Sequence, residues 1–185
     1  MKKYIAAALL ALLILPVSLF SLQDEYLRKA ALLKVFGQYI HWPGETGNND
    51  QSKPFVIGII GKNPFGPLLE KVYSKSENKI KNKNVQIILI KDLDPQQILS
   101  CHILFIAKSA SEELEQIISY TRGKPILTVG ETKGFSEQGV LFNLYVSQDE
   151  IRFEVNGAAL QESRLIADSQ LLSVATIVKM PGHEK

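Results

Sequence analysis

Apolar positions along the chain follow two rhythms, one of three to four residues and one of two. Between Gln23 and His41, Tyr26, Leu27, Ala30, Leu33, Val35, Phe36, Tyr39 and Ile40 recur at three- and four-residue spacing, which predicts an amphipathic helix. Asp24 and Glu25 in its first turn suit the helix dipole, and Trp42-Pro43-Gly44 stops it. The polar, turn-rich stretch from Gly47 to Lys53 reads as an exposed loop. Phe55 to Ile60 is then a near-continuous apolar run of strand length, ended by Gly61 and followed by Pro64, Phe65, Gly66 and the helical-looking LLEKVY. A strand apolar on both faces belongs to a parallel sheet covered by helices, and this one is expected at the centre of the sheet.

The alternation continues. Val85 to Ile90 is a second strand, Pro95 to Leu99 a short helix, Cys101 to Ala107 a third strand, and Pro125 to Val129 a fourth, ending at Gly130. Ser109 or Ser111 would cap the intervening helix, which buries Leu114, Ile117 and Ile118. Val140 to Val146 and Ile151 to Val155, separated by Ser147, Gln148, Asp149 and Glu150, have the signature of a β-hairpin. The C-terminal part shows a helical start after Asn156, a break around Arg164 to Ala167, and a last helix over Ser169 to Met180. Together these elements predict an α/β class, a Rossmann-like doubly wound, mostly parallel sheet with an antiparallel C-terminal hairpin at its edge.

The first residues alter the setting. Met1-Lys2-Lys3, the apolar block Tyr4 to Leu15, Pro16, and the small residues Ser18 and Ser21 have the layout of a secretory signal peptide, with cleavage expected after about Ser21. The competing reading is an uncleaved anchor, since Tyr4 to Phe20 approaches the length of a spanning helix. Residues 1–21 are taken as the signal and 22–185 as one exported domain, periplasmic and without direct membrane insertion. The whole chain holds 21 basic and 19 acidic residues, and loss of Lys2 and Lys3 makes the two equal. A near-neutral domain argues against nucleic acid as a partner. The single cysteine, Cys101, has no intramolecular disulfide partner; it is read as a core residue, with an intermolecular disulfide as the alternative.

Candidate chemistry is sparse. Gly58, Gly61 and Gly66 are three and five residues apart, which fits neither a dinucleotide fingerprint nor a P-loop, and Pro64 removes an amide donor from the turn. Cys101 and His102, adjacent on a strand, would point to opposite faces. No spacing suggests a metal site, a cofactor or a catalytic constellation, so the chain reads as non-enzymatic. If a small ligand binds, the carboxyl ends of the strands are the place. There Gly61, Lys62, Asn63, Lys108, Ser109 and Glu131 are the crevice candidates, against the plainer reading that each is only solvated. Trp42 is read either as a partner anchor or as packing over the sheet edge. Leu171, Leu172 and Val178, from a helix apolar on more than one face, are either covered within the fold or part of a subunit contact.

Several stretches, in order, resemble the YfiR-like family of small exported proteins: YLRKAALLKVFGQYIHWP from Tyr26 to Pro43, FVIGIIGKNPFG, CHILFIAKS, PILTVGETKGFSEQGVLFNLYV and IRFEVN. The resemblance covers nearly all of the chain after the signal. It implies a periplasmic regulator, often a homodimer, that represses a membrane-bound diguanylate cyclase by engaging its periplasmic sensor domain, lowering cyclic-di-GMP and restraining biofilm formation. The broader implication is a sensing module, since such domains also occur attached to sensor kinases; a small-ligand receptor is the alternative function. Disulfide-bearing members carry a second cysteine near the position of Gly58. This chain lacks it, which puts redox control through Cys101 in doubt.

Overall fold

The computed structural model describes residues 18–44, 52–75, 77–148 and 150–178. Its elements in chain order are α1 (Ser18–Tyr39), β1 (Ile40–His41), β2 (Phe55–Ile60), α2 (Leu68–Tyr73), β3 (Val85–Ile90), α3 (Pro95–Leu99), β4 (Ile103–Ile106), α4 (Leu114–Thr121), β5 (Leu127–Gly130), β6 (Phe142–Ser147), β7 (Glu150–Asn156), α5 (Gly157–Ser163), β8 (Ile166–Ala167), α6 (Ser169–Leu172) and β9 (Thr176–Val178). Most of the expected export segment and of the polar loop after Gly44 lies outside the described residues, as do Asp149 between the hairpin strands and the chain from Lys179 onward.

A seven-stranded sheet runs in the order β3-β2-β4-β5-β6-β7-β9. Its first five strands are parallel, β7 is antiparallel to β6, and β9 joins β7 in parallel. The α/β class, the mostly parallel sheet and the antiparallel hairpin are as the pattern of residues implies, with β9 added outside the hairpin. Strand β2 lies one place in from an edge rather than at the centre. Its importance is topological: the chain leaves β2 for β3 on one side and returns to β4 on the other, so the strand order reverses between β2 and β4.

Strand periodicity sorts the side chains into two cores. Ile57, Ile59, Ile103, Phe105, Leu127, Val129 and Phe142 form one face with α1 and α2, where Phe36 of α1 meets Phe142 and Phe153 edge-on, each at 5.0 Å. Ile60, Leu104 and Ile106 form the other with α3 and α4, against Ile98, Leu114 and Ile117. Burial of this apolar surface is what holds the sheet between its helices.

Four local expectations are corrected. The opening helix ends at Tyr39, because Ile40 and His41 pair antiparallel with Ala167 and Ile166. The third strand is confined to Ile103–Ile106, leaving Cys101 in the turn before it. The expected serine cap of α4 is not made: its N-cap is Glu113 without a side-chain bond, Ser109 Oγ accepts instead from the Lys62 amide, and Ser111 Oγ donates to the Lys108 carbonyl. The expected last helix stops at Leu172, and Thr176–Val178, a β-branched run, instead supplies hydrogen bonds to the edge of β7. Asn156 does start a helix, its Oδ1 accepting from the Ala159 amide at 2.9 Å.

Candidate functional site

The carboxyl ends of β2, β4 and β5 carry the candidate crevice residues. Gly61 closes β2 with φ of +90°, and a Cβ there would sit 2.6 Å from Ser109 Oγ. That close approach lets the Lys62 amide donate to Ser109 Oγ at 2.7 Å, tying the β2 turn to the turn after β4. Asn63 shapes the same turn: its Oδ1 accepts from the Phe65 amide and its Nδ2 donates to the Gly66 carbonyl, both at 2.9 Å. Phe65 is thereby set into the core, edge-on to Phe105 at 4.8 Å and to Tyr26 at 5.4 Å.

Glu131, just past β5, points the other way, under α1. Its Oε2 accepts from Lys29 Nζ at 2.7 Å and from the Tyr26 hydroxyl at 3.1 Å, and its Oε1 accepts from the Lys108 amide at 3.3 Å. Lys29 also pairs with Glu25 at 2.6 Å and lies over the Tyr26 ring, 4.5 Å from its centroid. The Lys29 and Glu131 side chains are each only 5% exposed. Burial pulls the Lys29 ammonium down, but its bonds to Glu131 and Glu25 more than offset this, so its pKa is raised. Burial, with Glu131 next, raises the Tyr26 phenol. The arrangement clamps α1 onto the end of the sheet.

Gly61 and Ser109 therefore meet, together with Ile60, Asp92 and Glu113, around a cavity of about 360 Å³ at the switch point. Lys62 and Asn63 lie beside it, while Glu131 and the Lys108 amide belong to the α1 clamp. A second cavity, of about 480 Å³, opens on the α1 side between Tyr26, Phe65, Leu68 and Lys71. Lys29 escaped the sequence reading, and Tyr26 figured there only as an apolar position of the helix. The signal was available: Lys29 falls three after Tyr26 and four before Leu33, on the buried side of the helix, where a lysine needs an acidic partner.

Of the partner-surface candidates, Trp42 is buried to 9% exposure, edge-on to Phe55 at 5.3 Å and to His102 at 6.0 Å. Leu171 is in the first core and Leu172 packs against it from α6. Val178 is half-buried in β9, beside Asn156. The exposed apolar residues lie elsewhere, with Val174 71% and Ile166 67% exposed.

Cys101 and His102 are each bonded to the backbone. Cys101 Sγ donates to the Gln97 carbonyl at 3.2 Å, and burial pushes its thiol up to about 12. His102 Nδ1 accepts from the Val56 amide at 3.0 Å while its ring stacks on Phe55 at 4.5 Å. Among the described residues no group of three or more His, Cys, Asp or Glu is placed to hold a metal ion.

Such an open α/β sheet, with strand order reversing between β2 and β4 and its carboxyl ends tied together by Ser109 and Glu131, defines a Rossmann-like domain of the flavodoxin-type order. The chain belongs to the YfiR/HmsC-like family, whose pattern it matches over residues 26–176. Among the described residues no helix is long and apolar enough to cross a membrane. No curated protein matches the chain. Among solved structures it is similar to a conserved domain protein of Vibrio cholerae, with a TM-score of 0.55 and 10% identity over 81% of this chain and 60% of that one. It is also similar to the ABC domain, in complex with L-Trp, from Streptococcus pneumoniae, with a TM-score of 0.50 and 9% identity over 67% and 55%. The chain spans little more than half the length of these structures, and at such identities the likeness is one of fold.

Proposed function

We propose that the chain, after removal of residues 1–21, is a periplasmic repressor: it binds the periplasmic sensor domain of an inner-membrane diguanylate cyclase, as a homodimer, and lowers cyclic-di-GMP output. The observation that carries this reading is the family match over residues 26–176, behind an N-terminal stretch with the layout of an export signal. The site chemistry supports it, since Lys29 and Cys101 are held in forms that make poor nucleophiles. The binding half of the reading is tested by titrating the purified exported chain into the isolated sensor domain of the cognate cyclase. Saturable binding is expected. Absence of binding across the micromolar range removes direct engagement from the reading.

The cavity of about 360 Å³ at the switch point favours a second role, small-ligand sensing, because open α/β sheets take ligands where the strand order reverses. Gly61 and Ser109, with Asp92 and Glu113, would receive the ligand there, and Lys62 and Asn63 stand beside it, while Lys108 and Glu131 belong to the α1 clamp. A receptor of this kind would feed a sensor kinase or the same cyclase.

A further inference from the structure

Basic and acidic residues are equal in number after Ser21, but they are not evenly spread. At the amino edge of the sheet, where β2 and β3 begin, six lysines gather: Lys34 on α1, Lys53 before β2, and Lys75, Lys79, Lys81 and Lys83 between α2 and β3. Over residues 74–84 the acidic residue among them is Glu77 alone. The carboxyl edge is mixed instead, with Lys91 and Lys108 beside Asp92, Asp94 and Glu113. The lysine segment is fastened in place. Ile80 is fully buried and so close to α1 that a Cβ on Gly37 would lie 2.6 Å from Ile80 Cγ2. Ile80 and Lys83 exchange backbone hydrogen bonds at 3.2 and 2.9 Å, and Lys81 and Asn82 between them have φ of +52° and +62°, the signs of a type I′ turn. Gln38 Nε2 donates to the Lys79 carbonyl at 3.1 Å and its Oε1 accepts from the Lys81 amide at 3.4 Å. Asn78 Oδ1 accepts from Lys34 Nζ at 2.7 Å while its Nδ2 donates to the Val72 carbonyl at 2.8 Å. The Phe55 amide, two residues after Lys53, donates to the Asn84 carbonyl at 2.8 Å. Like charges held together on such a frame repel one another, and an anionic surface relieves that repulsion.

We infer that this edge of the sheet is a peripheral docking face for an anionic lipid surface, held by charge and without insertion. Two features pick lipid over an acidic protein. The first is composition. Protein interfaces are built around aromatic residues, Met and Arg and are poor in lysine. Here the six cations are all lysines, and Ile80, the apolar residue of the turn, is turned inward. A lysine is a point charge on a flexible stem, suited to a phosphate layer whose acceptors hold no fixed positions. The second is setting. Residues 1–21 have the layout of an export signal, and a chain exported through a membrane emerges at a lipid surface. Equal totals of charge conceal the face, since attraction at a surface depends on the charges within a screening length of it.

The test needs neither a cyclase nor a small ligand, so it stands apart from the repressor reading. The purified exported chain is sedimented with vesicles of phosphatidylglycerol and phosphatidylethanolamine and, in parallel, with vesicles of phosphatidylcholine alone. Binding to the anionic vesicles at low salt is expected, with none to the neutral ones and release at about 1 M salt, where screening acts within ~3 Å. K79Q/K81N/K83Q should lower the partition coefficient on the order of a hundredfold, at about fivefold for each lysine near an anionic surface. K91Q/K108Q/K133Q removes the same charge at the carboxyl edge and should bind nearly as the unaltered chain does. Failure of the unaltered chain to bind anionic vesicles at low salt overturns the inference, whatever the variants do. Equal losses in the two triple variants also overturn it, because the attraction then belongs to net charge and not to this edge. A chain that ignores vesicles, but whose K79Q/K81N/K83Q variant loses sensor-domain binding, overturns the lipid assignment and gives the face to an acidic protein.

Discussion

Lys29 is the residue on which the carboxyl end of the sheet is fastened to α1. It is buried, paired at 2.7 Å with Glu131 and at 2.6 Å with Glu25, and its loss would leave a carboxylate buried without its charge partner. Lys29→Met should therefore destabilise the chain by about 3 kcal/mol, the lower end for a broken buried pair, because the Tyr26 hydroxyl and the Lys108 amide still donate to Glu131. Urea unfolding measures this, and the double variant Lys29→Met/Glu131→Gln should recover part of the loss. An unchanged midpoint would show that the pair contributes nothing. The raised pKa of Lys29 fixes the sign with pH. Its stabilisation is fully present below the usual lysine value of ~10.4 and is lost as pH rises through the higher folded value. The buried Cys101 thiol, pushed up to about 12, adds a loss in the same alkaline direction, so the Lys29→Met chain should fall less steeply there rather than not at all. Its place in the turn after a strand, at the carboxyl edge of the sheet, is what makes Glu131 a crevice candidate. What it serves in the fold depends on a lysine 102 positions earlier in the chain, a pairing that local pattern does not carry.

At the scale of elements, β2 and the turn leading into β4 meet in close contact at Gly58 and Cys101. A Cβ on Gly58 would press into Cys101 Sγ and lie 2.9 Å from Ile90 Cδ1 and 3.3 Å from Leu104 Cδ1. Gly58→Ala should cost about 1–3 kcal/mol by overpacking. Cys101→Ala empties part of that space, so the double variant should be less destabilised than the sum of the single ones. Strict additivity in denaturant unfolding would mean that the two positions do not share the space. The elements that were legible in the sequence are those whose burial matches their local rhythm: β2 with its run of apolar residues, β4, β5 and the hairpin β6–β7. The illegible one was the C-terminal segment. Leu171, Leu172, Val174 and Ile177 have helical spacing, yet the open edge of β7 draws Thr176–Val178 into a strand, a preference set by a neighbour some twenty residues away. The third strand was overextended at Cys101 for a similar reason, because the short helix α3 holds its thiol against the Gln97 carbonyl.

For the whole molecule, one sheet divides two cores. One lies under α1 and α2, the other under α3 and α4, and the strand order reverses where the two cavities of the carboxyl edge lie. The order of motifs along the chain made the family legible, and the match over residues 26–176 places the chain in it. Of the two readings of Trp42, the packed one matches its place against Phe55. Repression of a diguanylate cyclase is the central claim, and cellular cyclic-di-GMP tests it most directly. With the cognate cyclase expressed, deletion of the gene should raise the nucleotide several-fold, and supplying the full chain should lower it again while a chain lacking residues 1–21 should not. An unchanged cyclic-di-GMP level on deletion, with the cyclase present and active, would contradict it.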